Sequence, residues 1–301
     1  MTESLETDVF ESAVSYSGPS QVRHFMDHLT IKSQQHAGIV KFRSSFDSFD
    51  QKLEGLETGE VVVVSGKTKN GKTLFAESWI HGIMTKDPTA KALFLSFEVQ
   101  TVKLLMKYQN KPDLPIYVPD QLETMNFEWL KERCLEAKLK YECKIVLIDH
   151  LHFMVDMDTR QNMSLNIGGF MRRLKHEIAK GFNMAVILIA HQGQSRKDTE
   201  ASVDGIRDSS FVAQEADSVI VVSRQKNPED LLEYWDKLSE KIGPERATTL
   251  RDKIQERMEA ADIDDKYSAG LATVSIERAR RAGTYEWKKT FQKNGEFLTE
   301  L

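Results

Sequence analysis

The nine residues Ser65-Gly66-Lys67-Thr68-Lys69-Asn70-Gly71-Lys72-Thr73 constrain this chain most, because they dictate a backbone path and what must flank it. From Gly66 to Thr73 every fixed position of the phosphate-loop pattern G-x-x-x-x-G-K-[ST] is met. Four valines, Val61 to Val64, precede the loop as a buried-strand run. A helical pattern follows it, with Phe75, Trp79, Ile83 and Met84 on one side. Gly66 and Gly71 let successive N–H groups turn inward, and the start of the helix adds its positive end. The predicted cradle is Gly66, Lys67, Thr68, Asn70, Gly71, Lys72, Thr73 and Leu74. In it Lys72 reaches the β- and γ-phosphates, and the Thr73 hydroxyl takes a place on Mg²⁺. The pattern predicts binding of a nucleoside triphosphate.

At 301 residues the chain has room for one large α/β domain with an appendage. The reading is a tail and linker helix over 1–40, then an ATPase domain over 41–301 with a helical insertion at about 227–267. No apolar run reaches the length of a membrane span, and the acidic start (Glu3, Glu6, Asp8, Glu11) does not resemble a signal peptide. Cys134 and Cys143 lack metal-site spacing, so a reducing, cytoplasmic setting is expected, the host cytoplasm if the protein is phage-encoded. The net charge of −5 argues against bulk attachment to nucleic acid and leaves room for a local basic track.

Residues 1–18 are polar and acidic, and a disordered segment is expected there. Val22, Phe25, Met26 and Leu29 then predict a helix over about 19–35. Further strands are predicted at Ala92–Phe97, around Ile116–Val118, at Ile145–Ile148, at Ala185–Ala190, at Val219–Val222 and at Leu271–Ile276. Helices are predicted from Thr101, over Asn126–Glu142 and near Ser164–Gly181. Strands alternating with helices imply a mostly parallel sheet covered on both faces. The stretch 227–267 breaks the rhythm with two amphipathic helices. The end reads as a strand, a basic turn and a hairpin-like tail holding Trp287, Phe291 and Phe297.

Hydrolysis needs more than a cradle. Asp149 ends an apolar strand, where a carboxylate can join the Mg²⁺ shell. Glu98 follows the strand Ala92–Phe97 and is the candidate for polarising the attacking water. His191 and Gln192 follow the strand Ala185–Ala190, a position for sensing the γ-phosphate. His150-Leu151-His152 forms an H-x-H pair and His24 with His28 an i, i+4 pair, neither with an evident third metal ligand. Arg278, Arg280 and Arg281 read either as solvated charge or as a finger reaching a neighbouring subunit.

Taken in order, these pieces resemble a known family. They are the phosphate loop, Glu98, the Asp149 strand, AHQ at 190–192, DGIRDSSFVAQEADSVIVV at 204–222, R-x-R at 278–280 ahead of Gly283-Thr284, and KNGEF at 293–297. Together they look like the C-terminal RecA-like motor domain of DnaB-type replicative helicases, over about 42–226 and 270–299. The resemblance implies a P-loop ATPase that hydrolyses Mg-ATP at the subunit interfaces of a hexameric ring and moves on single-stranded DNA in replication, with other replication proteins as partners. It implies that Lys72 and Thr73 hold phosphate and metal, that Glu98 is the catalytic carboxylate and Asp149 the metal-shell residue. Gln192 or His191 would be the sensor and Arg280 the finger in trans, with Arg278 beside it and Arg281 a third choice. The family's DNA-contacting loops map to about 152–165 and 193–207, which hold Arg160, Arg196, Lys197 and Arg207. Two alternatives share this core: a RecA/RadA-like recombinase or mediator, and a ring ATPase that acts on protein partners through 227–267.

Overall fold

Runs of β-branched and aliphatic residues too short for helices, each followed by a turn, set the architecture. The computed structural model describes residues 38–98, 114–155, 163–191, 212, 214–224, 243–246, 248–249, 271–281, 283 and 287–301. The expected tail, the helix at 19–35, the helix from Thr101, Gln192, Arg160, Arg196, Lys197, Arg207 and nearly all of 227–267 lie outside them. In chain order the elements are β1 (Lys41–Phe42), α1 (Asp47–Leu53), β2 (Leu56–Glu57), β3 (Val61–Gly66), α2 (Lys72–Lys86), β4 (Ala92–Ser96) and β5 (Ile116–Tyr117). There follow α3 (Phe127–Tyr141), β6 (Ile145–Asp149), α4 (Met163–Arg173), β7 (Ala185–His191), β8 (Ser218–Arg224), β9 (Leu271–Ala279), β10 (Trp287–Asn294) and β11 (Phe297–Glu300). A π-helical stretch, Leu174–Lys180, continues α4.

Nine strands form one sheet in the order β11-β10-β9-β8-β3-β7-β6-β4-β5, while β1 and β2 pair separately. From β8 to β5 every pairing is parallel; β9, β10 and β11 extend the sheet antiparallel. Side chains alternate across it. Val62, Val64, Phe94, Leu147 and Ile187 enter one core with Phe49 of α1 and Trp79 of α2. Val61, Val63, Leu95, Ile148 and Leu188 enter the other with Leu130 of α3 and Met171 of α4. This is the α/β, RecA-like arrangement, a mostly parallel sheet with helices on both faces.

Two features depart from the sequence reading. The stripe predicted on α2 is too narrow, because Ala76, Glu77, Ser78, Ile80 and Gly82 are buried as well. The chain on either side of the core closes over the outside of the helix. A Cβ on Gly82 would sit 2.6 Å from Ser45 Oγ. Leu298 N donates to Ser78 Oγ at 2.8 Å, and the His81 ring stacks on Phe297 at 4.0 Å. The second departure is β9, which runs past Ile276 to Ala279 and so holds Arg278 within the strand. Among the described residues no helix is long and apolar enough to cross a membrane.

An aromatic cluster locks α1 onto α2. Phe49 is fully buried and meets Phe46, Phe75, Trp79 and Trp287 edge-on, with centroids 5.1 to 6.4 Å apart. Edge-to-face pairs add to the area each ring buries. Phe49→Ala leaves a ring-sized cavity that four rigid neighbours cannot fill. Chemical denaturation should show a loss of about 3–5 kcal/mol; a loss below about 1 kcal/mol would mean that α1 is not part of the core.

Candidate active site

Strand register brings distant residues to one edge. Gly66 pairs with His191, Ser96 with Asp149, and Asp149 with Ile189, so the carboxyl ends of β3, β7, β6 and β4 lie side by side. The phosphate loop leaves β3 as one continuous turn through Lys67, Thr68, Asn70 and Gly71 into Lys72, Thr73 and Leu74 of α2. Gly66 is required there, since a Cβ on it would lie 2.2 Å from the Val222 carbonyl oxygen. Gly71 sits at φ 87° and begins α2 with no side-chain cap. The first N–H groups of the helix therefore face the loop, the arrangement that receives a phosphate.

The polar groups interlock. Thr73 Oγ1 donates to Asp149 Oδ2 at 2.8 Å, which ties the start of α2 to the end of β6. Lys72 Nζ spans the loop to the Lys67 carbonyl at 2.9 Å. Burial lowers the Lys72 pKa, while the charges of Glu98 and Asp149 oppose that effect. Asp149 is fully buried, and its pKa is pushed up to about 6. Burial is the main cause, with Glu98 and Glu77 adding to it and the Thr73 hydrogen bond and Lys72 working against it. Asp149 Oδ1 is buried with no hydrogen-bond partner. Glu98 lies just beyond β4 with its side chain 45% exposed, its Oε2 3.7 Å from His150 Nδ1 and 3.8 Å from His191 Nε2. Burial holds the two imidazoles near pKa 3 and 4, so at neutral pH these contacts are not ion pairs.

The three arginines separate by position. Arg281 is committed within the chain: it donates to the Leu53 and Gly55 carbonyls at 3.0 and 2.8 Å and pairs with Glu57. Arg278 stands opposite Val219 within the sheet. Arg280 donates its backbone N–H to the Asp217 carbonyl, and its guanidinium, 40% exposed, rests 3.9 Å from the Asp217 carboxylate. Asp217 is itself held by Lys175 Nζ at 2.7 Å and by Val61 N at 2.9 Å. Nothing in the spacing of the segment 204–222 singles out Asp217 as this anchor, because its partners come from distant elements. Ala279 pairs with Ser218 and Ser218 with Val62, at the start of β3. The loop leaves from Gly66, about 13 Å along the strand at ~3.3 Å per residue. Arg280 thus sits at the end of the sheet opposite its own phosphate loop, too far to act on it.

The buried Asp149 gives a pH signature. With its pKa raised from 3.8 to about 6, Asp149 contributes stability when protonated, and that contribution is lost as pH rises through this window. In chelator, Asp149→Asn should exceed wild type above pH 6 by up to about 3 kcal/mol, and the gap should close below about pH 4. Denaturation across pH checks this, and a difference that does not vary with pH would contradict it.

Residues 103–294, more than half of the chain, fit the family described as DnaB-like helicase C terminal domain. The replicative DNA helicase DnaB of Pasteurella multocida is 22% identical over 234 residues, covering 66% of this chain and 49% of that protein. The chain thus spans about half the length of the curated relatives it matches. A solved ATPase domain superposes with TM-score 0.64 at 17% identity, covering 93% of this chain and all of that one. A DnaB-like replicative helicase, solved in a study of its interactions with primase, gives 0.63 at 16% identity, covering 99% and 72%. At these identities the solved structures speak for the fold alone. The family match goes further, and on it this chain belongs to the DnaB-like helicase C-terminal domains.

Proposed function

We propose that this chain is an ATP-driven helicase motor, hydrolysing Mg-ATP between subunits of a ring and moving on single-stranded DNA in replication. The observation that carries this reading is the division of the site. Phosphate loop, Asp149, Glu98 and His191 share one end of the sheet, and Arg280 sits at the other. In a head-to-tail ring the Arg280 end of one subunit can face the loop of the next, so each interface holds one complete set. A hexamer is the ring size the family resemblance implies. An arginine at an interface stabilises charge on the transferring phosphate without belonging to the subunit that binds the nucleotide.

Within the subunit, Lys72 offers a fixed cation to the β- and γ-phosphates, and the uncapped start of α2 offers backbone N–H groups. Glu98, half exposed at the mouth of the site, takes the water-orienting role. His191 or Gln192 senses the γ-phosphate, and Arg278 supports Arg280. The oxygen donors of Thr73 and Asp149, with the buried and unmatched Oδ1, fit a hard dication such as Mg²⁺. Bound there, Mg²⁺ supplies charge neutralisation across the phosphates. Arg160 lies beyond β6, and Arg196, Lys197 and Arg207 lie beyond β7, the strands whose ends frame the site. We assign them to the DNA track, and the other replication proteins to the outside of the ring, acting in the cytoplasm.

Hydrolysis measured with and without single-stranded DNA tests the reading. DNA should stimulate turnover, and its binding should weaken steeply with salt as neutralised phosphates release counterions. Glu98→Gln should keep ATP binding and lose turnover about a hundredfold or more. Turnover indifferent to DNA would point to a motor that acts on protein, and normal turnover in Glu98→Gln would move the water-orienting role elsewhere.

A further inference from the structure

Glu98, His150 and His191 form a cluster whose composition differs from the oxygen set beside it. They come from the ends of three neighbouring strands, β4, β6 and β7, and one ligand atom from each lies within 4.8 Å of the others. Two of the separations, 3.7 and 3.8 Å, run from Glu98 Oε2 to the two histidine nitrogens. In tetrahedral coordination at about 2.0–2.1 Å, two donor atoms lie about 3.3 Å apart. The carboxylate contacts therefore need to close by about half an ångström at most. The third separation, between the two histidine nitrogens, is at most 4.8 Å and closes if the partly exposed His191 ring moves toward His150. His150 Nδ1, the atom nearest Glu98 Oε2, is buried and makes no hydrogen bond, so no protein group competes with an ion for it.

We infer that Glu98, His150 and His191 bind a borderline transition dication of the zinc type, distinct from the hard dication that Thr73 and Asp149 suit. Two imidazoles and one carboxylate are a donor set that zinc takes readily and magnesium does not. Neutral imidazoles are the binding form, and burial keeps both neutral at physiological pH. The opposing force is the Lys72 charge, which acts on both histidines. The exposed side of Glu98 gives the ion a way in and leaves a fourth position to solvent. The H-x-H spacing points to a different pair, His150 with His152. The structure instead joins His150 to His191 across adjacent strands, and Glu98 is the third ligand that the spacing lacks.

Occupancy has a consequence that rests on the proposed role of Glu98. A carboxylate bound to zinc no longer orients water, so the ion acts as a brake on hydrolysis.

The test separates binding from inhibition. The full chain, without nucleotide, is titrated with Co²⁺, then with Zn²⁺ to displace it. Wild type should take up one equivalent at the cluster with the intense visible bands of a tetrahedral site. His150→Phe, which keeps a ring against Phe153, should lose those bands and bind zinc about a hundredfold or more weakly, beyond the loss of a mere supporting group. His150→Asn should do the same, as a check on folding. No stoichiometric uptake by wild type, or equal affinity in both variants, overturns the site. In hydrolysis, micromolar Zn²⁺ should inhibit wild type by a larger fraction than His150→Phe, and equal inhibition overturns the brake. If no protein hydrolyses ATP, the motor reading fails while the titration still decides the site.

Discussion

Thr73 and Asp149 meet in a hydrogen bond of 2.8 Å that joins the first turn of the nucleotide helix to the end of a central strand. Everything at the carboxyl edge depends on this link. It sets where the phosphate loop hangs and where β6 stops, and strand register carries that position to Glu98 on one side and His191 on the other. The carboxylate is held at a cost, since burial raises its pKa and one oxygen finds no partner. A bound cation would supply the partner that this buried oxygen lacks, which is what the proposed Mg²⁺ role rests on.

The opposite edge is organised by a second carboxylate, half-buried beside the buried Lys175. Asp217 accepts from Lys175 and from the first N–H of β3, and its carbonyl accepts from Arg280. Arg280 is thereby fixed through its backbone while its guanidinium stays partly exposed, as a group meant for a neighbour would be. Arg281 is the contrast. Adjacent in sequence, it closes the carbonyls that end α1 and holds the β1–β2 ribbon by charge. The two arginines differ by one position and by the face of the turn on which each falls.

The parts legible in the sequence are those governed by local rules. The phosphate loop carries its own backbone requirements, and Val61–Val64 and Ile145–Ile148 read as buried strands because they are short, largely β-branched and followed by turn residues. Asn126 caps α3 by accepting from Trp129 N at 3.0 Å, as the boundary at 126 implies. What stays hidden is long-range. The commitment of Arg281 spans more than two hundred residues of sequence, and the Glu98–His150–His191 cluster exists only through the register of three strands. Short α1 also escapes a periodicity reading, although Phe46, Phe49 and Leu53 fall at helical spacing. Arg160, Arg196, Lys197 and Arg207 fall outside the described residues, so the DNA track is argued from the family resemblance, and a partner role for 227–267 from its amphipathic spacing.

The central claim is that each subunit completes its neighbour's site. Mixing two inactive variants tests it most directly. Lys72→Ala spoils the loop end and leaves the arginine, while Arg280→Ala does the reverse. On the present account each variant alone hydrolyses almost no ATP, and mixed rings regain a measurable fraction, because some interfaces pair an intact loop with an intact Arg280. Full activity in Arg280→Ala alone, or no recovery at any mixing ratio in rings shown to contain both variants, would contradict it.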